Sequence, residues 1–426
     1  MKKIPTGVWS RGTKLIGLAS KVALNEISTR VKTWDDEKTK IQSKIEMAQA
    51  IVKTMSELKG ASMKVGQLLS MDMGDFLPPE VVKVLETLHQ NATFLPFESI
   101  EKILKDELGE RYNAFTHISN EPIAAASIGQ VHSAILKGQE VVLKIQYPGV
   151  ANSIPSDLKL LQFCFTNLSK LAGKEVELEP FFKEVEEVLM RETDYGHECD
   201  MLLKYKKSFK DSEYIIPEVF PEFCTPKVLT MEMIKGKTFS TWTETSLLGE
   251  RMTLARDLIL LYLEEFFKHG LVQTDPNPGN FLITENNKIA LLDFGAVKEY
   301  ERGFIESYRR ILMAAFKQDN DLLLKESERC QFIDPREDEE VRKLYVEMMA
   351  SLAAPFRQEA PFNFAEKAFY ENSKNSSWAL SKKSKYSPPP KDLLFLHRKL
   401  GGVFMLIRKL DVSLNLKECW DLVEST

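Results

Sequence analysis

The spacing of apolar residues divides the chain into stretches with different expected structures. Between Asp35 and about Leu69, apolar residues recur every three or four positions with charged residues between them, which predicts an amphipathic helix. Pro78-Pro79 ends this pattern. Two further helices are expected over Glu80–His89 and Phe97–Leu108, and Gly109 fits as the cap of the second.

After Phe115 the pattern becomes that of β-structure. Residues 128–147 predict two strands joined by a turn at Lys137-Gly138. Two helices and a short buried strand are expected next, over Asp157–Leu171, Pro180 to about Tyr205, and Val228–Met233.

Helical patterns dominate beyond Lys235-Gly236, a pair with the composition of a hinge. A loop at Thr274–Gly279 and a hairpin across Asn286-Asn287 interrupt them. The polar stretch Asn372–Pro390, rich in Ser and Lys, predicts a loop or insertion, and Asp392 can cap the last helical block.

This order of elements is the outline of a bilobal kinase-like α+β fold. We expect a small β-rich N-lobe and a mostly helical C-lobe, preceded by helical structure. The predicted regions are a basic segment over residues 1–34, a helical extension over 35–115, the N-lobe over 116–236 and the C-lobe over 237–426.

Composition narrows the class of protein. The chain has 426 residues, of which 43% are hydrophobic, enough for a full core without disulfides or structural metals. Its net charge of −5 argues against a general nucleic-acid binder. Five scattered cysteines indicate a reducing compartment, and no histidine or cysteine spacing suggests a metal cage.

The N-terminus differs in charge from the rest of the chain. Its first 32 residues hold seven Lys or Arg and one acid, a net charge of +6, with apolar residues near one helical face. Such a helix can lie on an anionic membrane surface, or it can dock on the protein's own core with its basic face in solvent. The longest apolar run, Leu258–Leu263, is far below the roughly 20 residues needed to cross a bilayer. We therefore expect a cytoplasmic protein whose contact with the inner face of the membrane is peripheral or made through a partner.

The strongest chemical signal is an Asp and an Asn five residues apart, followed after a short hairpin by Asp-Phe-Gly. Asp275 and Asn280 form the first pair, and Asp293 opens the second motif. This spacing is typical of a phosphotransferase site. Asn280 and Asp293 offer oxygen ligands to Mg²⁺, and Asp275 could orient an acceptor hydroxyl or water. The alternative is a surface turn followed by an accidental Asp-Phe-Gly.

A lysine within an apolar strand is the second signal. Lys144 could reach the phosphates of a nucleotide and pair with a glutamate on the acid-rich helix that follows. Glu192 lies within the apolar stripe of that helix and Glu198 on a neighbouring face. A buried carboxylate is costly unless a cation pairs with it, and Lys144 and Lys64 are the candidate partners. A solvated acidic helix is the alternative interpretation.

Six motifs occur in an order that resembles the UbiB family of atypical kinases, associated with ubiquinone biosynthesis and lipid homeostasis. The resemblance extends from about residue 40 to 300, and more loosely to the end. The motifs are Ser62–Gln67, Ala124–Gln130, Lys144–Val150, Glu192–Tyr195 with Glu198, Asp275–Asn280, and Asp293-Phe294-Gly295.

The resemblance implies roles for the matching residues. Lys64 and Gln67 belong to the family's Lys-x-Gly-Gln signature, on an extension packed over the active site, where Lys64 would meet Glu192. Lys144 and Glu198 match the strand-lysine and helix-glutamate pair.

The resemblance also implies a site for ATP or ADP with Mg²⁺. Asp275 matches the catalytic-loop acid, and Asn280 and Asp293 match the metal ligands. The alanine-rich loop would bias nucleotide handling away from protein-kinase behaviour. The nucleotide contacts implied are Ala124, Ala125, Ala126, Ser127, Lys144, Glu232 and Ile234.

Three positions depart from the family pattern. Histidines are usual two residues before the loop Asp and between its prolines, where this chain has Gln273 and Asn277. No histidine is then present to shuttle a proton. Cys199 stands where a small alanine is common.

The leading hypothesis is an ATP-Mg²⁺-dependent atypical kinase or ATPase that supports ubiquinone or related isoprenoid-lipid biosynthesis. It would act on a small lipid or quinone precursor, or handle lipid through ATP turnover, with quinone-biosynthesis proteins and a membrane surface as partners. A protein kinase acting in trans and a nucleotide-binding pseudokinase scaffold are the alternatives. Whether the chain forms a homodimer is left open by the sequence.

Overall fold

The computed structural model describes residues 94–171 except 127, residues 179–366 and residues 390–425, with a few positions between the last two ranges. The predictions for the basic N-terminal segment and for most of the helical extension lie outside these residues. The described residues fall into two compact units. The first contains those up to Asp200 together with Glu218–Met233, and the second contains Met201–Pro217 and those from Ile234 onward. The four-part division of the sequence stays a prediction.

The strands of the first unit are β1 (Phe115–Ile118), β2 (Ala124–Ala126), β3 (Gly129–Leu136), β4 (Gln139–Gln146) and β5 (Val228–Glu232). They form one antiparallel sheet in the order β1-β3-β4-β5, and β2 pairs with β3 on the same edge as β1, farther along the strand. The helices are α1 (Phe97–Leu108), α2 (Val150–Leu171), α3 (Glu179–Glu192) and α4 (Tyr195–Ser208), the last of which continues into the residues of the second unit.

Helix α1 packs against the sheet through one apolar stripe. Ile100, Leu104 and Leu108, four residues apart, share a buried cluster with Leu143 and Ile145 of β4. This spacing puts the three side chains on one face of a helix, so α1 has the bounds and the buried face that its sequence predicts. The β3–β4 turn is also where it was expected, because Lys137 and Gly138 have φ values of 50° and 85°.

The acid-rich region is two helices rather than one. Its chain breaks at Thr193-Asp194, where the Asp194 carboxylate accepts hydrogen bonds from the backbone N–H groups of Gly196 and His197 at 3.0 and 3.2 Å. A carboxylate that accepts from the first turn is a helix N-cap. The prediction of one continuous helix to Tyr205 was therefore wrong.

The second unit is mostly helical. Its helices are α5 (Phe239–Thr245), α6 (Leu248–Leu263), α7 (Arg302–Lys317), α8 (Asn320–Arg329), α9 (Glu339–Arg357), α10 (Lys391–Leu410) and α11 (Lys417–Ser425). Three small antiparallel sheets join β6 (Lys237–Thr238), β8 (Phe281–Ile283) and β9 (Ile289–Leu291), then β7 (Leu271–Gln273) and β10 (Val297–Glu299), then β11 (Phe362–Asn363) and β12 (Ser413–Leu414).

Two features at helix ends matter below. A π-helical turn, Glu264–His269, follows α6 and ends at Gly270, whose φ is 63°. Helix α10 begins after Pro390, and Asp392 lies within its first turn, where its carboxylate pairs with Lys298 Nζ at 2.8 Å. Asp392 is thus an ion-pair partner and not the expected cap.

The polar stretch before α10 is fastened to the start of α9. The carboxylate of Glu337 accepts hydrogen bonds from the backbone N–H groups of Lys385, Tyr386 and Ser387, and from the Ser384 hydroxyl at 2.7 Å. Among the helices that the structure describes, none combines the length and the apolar character needed to cross a membrane.

Candidate functional site

A buried ion pair lies in the sheet of the first unit. Lys144 is on β4, between β3 and β5, and its Nζ lies 2.9 Å from both carboxylate oxygens of Glu198 on α4. Lys144 is 8% exposed and Glu198 2% exposed. Two charge-assisted hydrogen bonds hold the ammonium group in one place. The ring centroid of Tyr195 lies 5.0 Å from the same Nζ.

The start of α4 positions Glu198. Asp194 caps this helix, and the backbone N–H of Tyr195 donates to Pro226 O at 3.0 Å, in the turn before β5. Glu198 is therefore held one turn inside a helix whose first residue is tied to the sheet.

The other predicted members of this motif are less fully described. Glu192 is the last residue of α3 and is half-buried. Lys64 and Gln67 lie outside the described residues, so the pairing of Lys64 with Glu192 stays a prediction.

The alanine-rich segment is a strand. Ala124, Ala125 and Ala126 form β2 and pair with Val131, Gln130 and Gly129 of β3, while Ser127 lies outside the described residues. The side chains of Ala124 and Ala125 are exposed. A backbone paired along its length is held in an extended conformation, which leaves little freedom to wrap over a ligand.

The base of this segment is tightly built. A Cβ atom on Gly129 would lie 2.2 Å from Ile145 O, so only glycine permits the close approach of β3 and β4 here. Gln130 is fully buried, and its amide bonds the backbone N–H and C=O of Leu95 at 2.8 and 3.3 Å. Gln130 Nε2 also lies 2.8 Å from His132 Nε2.

The two remaining nucleotide candidates fall in different units. Glu232 ends β5, and its Oε2 accepts from the backbone N–H of Glu218 at 3.0 Å. Ile234 is the first residue after β5 that belongs to the second unit, and it is half-buried.

The second unit brings the Asp-Asn loop next to Asp-Phe-Gly. Asn280 Nδ2 donates to Asp275 O at 3.2 Å, and the backbone N–H of Leu292 donates to Asn280 O at 3.0 Å. The strands that follow Asn280 and precede Asp293 pair as β8 and β9. Asp293 Oδ1 accepts from the backbone N–H of Gly295 at 3.1 Å.

This arrangement fits the chemistry of a hard cation. The bond to Asp275 O engages the amide nitrogen of Asn280, so Oδ1 is the atom of that side chain suited to a cation. Asn280 and Asp293 would then offer one neutral and one charged oxygen, the ligand type that Mg²⁺ prefers. Within the described residues, no group of three or more His, Cys, Asp or Glu side chains could hold a metal ion.

A buried polar network beneath the loop was not anticipated from the sequence. Lys399 Nζ, on α10, lies 3.0 Å from Gln273 Oε1 and 3.2 Å from Glu265 Oε2. Glu265 Oε1 accepts from the Tyr205 hydroxyl at 2.8 Å and from the backbone N–H of Gln273 at 3.0 Å. Burial raises the pKa of Glu265, although Lys399 opposes this shift. The signal in the sequence was a lysine on the apolar face of a helix, next to Leu400.

Gln273 joins this network to the Asp-Phe-Gly motif. Its Nε2 donates to Asp293 O at 3.4 Å while its Oε1 accepts from Lys399. The glutamine thus has a structural place at the position where the resemblance implied a histidine. Beside it, Gly402 of α10 lies so close to Pro276 that a Cβ atom would be 2.1 Å from the proline Cβ and Cγ.

Comparisons with known proteins bear on this geometry. The model of the family described as "ABC1 atypical kinase-like domain" matches residues 87–327. The chain is 33% identical over 371 residues to the mitochondrial atypical kinase COQ8 of Saccharomyces cerevisiae, covering 86% of this chain and 74% of that protein. It is 31% identical over 421 residues to the mitochondrial atypical kinase COQ8B of Danio rerio, covering 96% of this chain and 67% of that protein.

A solved structure has a similar fold. Rv3197 of Mycobacterium tuberculosis, solved in complex with erythromycin, superposes with a TM-score of 0.63 at 28% identity, covering 86% of this chain and 92% of that one. The likeness extends across both described units.

Proposed function

The chain belongs to the ABC1 atypical kinase-like family, and from this premise we propose that it binds ATP with Mg²⁺ and turns it over in support of isoprenoid-quinone biosynthesis. Family membership confirms the resemblance seen in the sequence and the kinase-like α+β fold. It also places the chain in the phosphotransferase or ATPase class. That this chain binds ATP and Mg²⁺ and acts on a lipid substrate is our proposal.

The observation that carries the proposal is the buried pair of Lys144 and Glu198. An ammonium group held by two hydrogen bonds of 2.9 Å is preorganised to meet the phosphates of a nucleotide. A buried ion pair is weak evidence of stability, so we infer that this one serves a ligand. We assign Lys144 to the α- and β-phosphates and Glu198 to positioning Lys144.

The cation is assigned to Asn280 and Asp293. Two protein oxygens are few, but Mg²⁺ commonly completes its coordination with water and substrate phosphates. When bound, Mg²⁺ would neutralise charge that develops on the transferred phosphoryl group. Asp275, whose backbone is fixed by Asn280, would orient an acceptor hydroxyl or an attacking water.

A small lipid is favoured over a protein as the acceptor. The paired strand β2 stands where a protein kinase has a mobile glycine-rich loop, and its alanines cannot supply the backbone freedom of glycines. The basic N-terminal segment would hold the protein at an anionic membrane surface, where lipid substrates are found. The COQ8B protein of Danio rerio and the COQ8 protein of Saccharomyces cerevisiae are both named as mitochondrial.

A nucleotide-binding scaffold is the second candidate. Gln273 is engaged by both Lys399 and Asp293 O, so it cannot carry a proton to or from an acceptor. Asn277 likewise uses its Oδ1 to accept from the backbone N–H of Gly279 at 3.0 Å. Because neither side chain can gain or lose a proton, neither can assist phosphoryl transfer as an acid or base. The protein could then act as a scaffold that binds nucleotide without turning it over.

The deciding measurement is steady-state ADP release from ATP-Mg²⁺, with and without anionic liposomes and a phenolic mimic of a quinone precursor. We expect turnover that rises with lipid and is lost in Asp293→Asn. Nucleotide binding without turnover under every condition would favour the scaffold. Phosphorylation of added proteins at a comparable rate would favour a kinase acting in trans.

Membrane contact is tested separately. Deletion of residues 1–32 removes the net charge of +6 described above and should reduce binding to anionic liposomes at low salt, where electrostatic attraction is strongest. Binding that survives the deletion unchanged would argue against an N-terminal membrane helix.

A further inference from the structure

One buried network of the second unit contacts the Asp-Phe-Gly motif at two points. Gln273 Nε2 donates to the backbone carbonyl of Asp293 at 3.4 Å. The ring of Phe294 meets the ring of Tyr205 edge-on, with the two centroids 5.1 Å apart. Glu265 joins these contacts, because its Oε1 accepts from the backbone N–H of Gln273 and from the Tyr205 hydroxyl. The two contacts of the motif therefore share one anchoring carboxylate.

Lys399 is the cation of this network. Its Nζ lies 3.2 Å from Glu265 Oε2 and 3.0 Å from Gln273 Oε1, and both charged side chains are buried. The same Nζ lies 5.7 Å from the ring centroid of Phe281, which directly follows Asn280 in the chain. Lys399 is thus one residue removed from each of the two proposed Mg²⁺ ligands, through Gln273 on one side and through Phe281 on the other.

The orientation of the Gln273 amide depends on Lys399. A hydrogen bond of 3.4 Å is long, so the bond to Asp293 O does not fix the amide by itself. The bond from the Lys399 ammonium group is shorter and charge-assisted, and it requires the amide oxygen on its side. An amide turned the other way would place a nitrogen donor against the ammonium group and an oxygen acceptor against the carbonyl. Lys399 therefore selects the orientation in which Gln273 can donate to Asp293.

We propose that Lys399 is a positioning residue for the Mg²⁺ site: through Gln273 it keeps Asp293 in the place where its carboxylate can bind the cation. The inference rests on the proposed function, since it takes Asp293 as a Mg²⁺ ligand. A buried ion pair adds little to stability, but it can fix one arrangement of the groups around it. Groups that orient a metal ligand from outside its coordination sphere commonly contribute about 10- to 100-fold to metal affinity.

The first test separates positioning of the cation site from a general contribution to stability. Binding of a fluorescent ADP analogue is titrated with Mg²⁺ and is also measured in excess EDTA, where no cation contributes. Gln273→Leu leaves the pair of Lys399 and Glu265 in place but removes the bond to Asp293. We expect it to raise the half-saturating Mg²⁺ concentration about tenfold while the affinity in EDTA stays the same. If the variant weakens binding equally with and without Mg²⁺, or changes neither, the proposal is wrong.

Tyr308→Phe is the matched control. The Tyr308 hydroxyl lies 2.8 Å from His397 Nε2, so this variant removes a buried hydrogen bond to the same helix α10 that no member of the network makes. We expect it to lower thermal stability without changing the half-saturating Mg²⁺ concentration. A shift as large as that of Gln273→Leu would mean that any loosening of α10 weakens the cation site, which would overturn the specific role of Lys399.

A double-variant cycle tests whether Lys399 acts through Gln273. Lys399→Met and Gln273→Leu should each raise the half-saturating Mg²⁺ concentration, and the double variant should have no larger effect than the stronger single variant. Additive effects would refute the route through Gln273. If Lys399→Met does not fold, Lys399→Met/Glu265→Gln takes its place in the cycle, because it leaves no carboxylate at residue 265 without its cation.

Hydrogen exchange of the nucleotide-free protein makes the test independent of the proposed function. The backbone N–H of Gly295 donates to Asp293 Oδ1 at 3.1 Å, so its exchange reports on whether Asp293 is held in place. Gln273→Leu should speed exchange in the peptide that contains Gly295 and leave exchange in the paired strands β3 and β4 unchanged.

The two kinds of failure are then distinguishable. Unchanged exchange at Gly295 in Gln273→Leu would show that the network does not hold Asp293, and the proposal would fail. Wild-type protein that binds no nucleotide at any Mg²⁺ concentration would instead count against the proposed function. In that case the exchange at Gly295 still decides whether Lys399 and Gln273 position Asp293.

Discussion

At the scale of single residues, burial decides which charges matter. Lys144 and Glu198 could be singled out from the sequence because a lysine within an apolar strand needs a reason to be there. Lys399 occupies a similar place on the apolar face of α10, but nothing local pointed to its partners, since Glu265 and Gln273 lie more than one hundred positions earlier. Sequence spacing reveals a buried charge more readily than the group that compensates it.

Replacing Lys144 should destabilise the first unit. Lys144→Met removes the ammonium group that pairs with the buried Glu198 carboxylate, a change that typically costs about 3 kcal/mol. The free energy of unfolding from urea titration measures the effect. Lys183→Met, at an exposed lysine on α3, is the matched control and should change stability by less than about 0.5 kcal/mol. Equal losses of unfolding free energy in the two variants would mean that the Lys144–Glu198 pair contributes no more to stability than an exposed lysine does.

Glu337 should make stability depend on pH in the acid range. Burial raises its pKa, but the hydrogen bonds from Ser384 and from the backbone N–H groups of Tyr386 and Lys385 outweigh this and lower it from 4.5 to about 2. Because the folded pKa is the lower one, the stabilisation is present above the unfolded value and is lost as pH falls through the folded value.

The check is a comparison with Glu337→Gln. The difference in free energy of unfolding between the two proteins should be constant above about pH 5.5 and shrink toward about pH 2. A difference that does not change with pH would show that the carboxylate is not held in its charged form by this loop.

At the scale of elements, the period of the apolar residues was sufficient to predict regular helices and turns. It did not reveal the side-chain hydrogen bonds that end or interrupt a helix. The bounds of α1 and the turn at Lys137-Gly138 were predicted because an apolar period and a turn composition define them. The break between α3 and α4 was missed because a single Asp194 side chain makes it, within a run of acids that reads as one helix. The roles of the catalytic-loop residues were suggested by the spacing of Asp275, Asn280 and Asp293 and then by a family resemblance, rather than by any helix or strand.

Helix α10 offers a matched pair of glycines. At Gly402 a Cβ atom would lie 2.1 Å from Pro276, whereas at Gly401 nothing lies within 4 Å. We expect Gly402→Ala to destabilise the protein by about 1–3 kcal/mol through overpacking. Gly401→Ala should stabilise it by up to about 1 kcal/mol, because alanine favours the helix.

Thermal unfolding of the two variants measures this contrast. Since Pro276 directly follows Asp275, Gly402→Ala should also lower the rate of ADP release in a folded sample at low temperature. Similar stabilities for the two variants would show that α10 can move away from the loop without cost.

At the scale of the whole molecule, contacts between residues far apart in the sequence hold the elements of the second unit together. The local spacing of residues does not predict these contacts. The network around Glu265 draws on Tyr205, Gln273 and Lys399, from α4, β7 and α10. Periodicity describes a helix one turn at a time, so it cannot tell which distant side chain will face a buried carboxylate. The class of fold could be predicted from the order of elements, but this junction needed coordinates.

Lys399→Met should test that junction. It removes the cation from a carboxylate that is fully buried, and we expect a loss of about 3–5 kcal/mol in the free energy of unfolding. The double variant Lys399→Met/Glu265→Gln removes the uncompensated charge and should recover part of that loss. Urea titration of the two variants distinguishes the outcomes, and strictly additive losses would exclude coupling between the two residues.

The π-helical turn that carries Glu265 has a consequence for how this region tolerates change in length. Such a turn contains one residue more than an α-helical turn, and each residue advances a helix by about 100°. Deleting a single position between Phe266 and Gly270 would let the helix regularise, yet it would rotate the residues that follow and move the backbone N–H of Gln273 away from the Glu265 carboxylate that accepts from it. A frame-preserving deletion of one codon here should therefore be far more harmful than the same deletion in an exposed loop, even though it makes the helix more ideal.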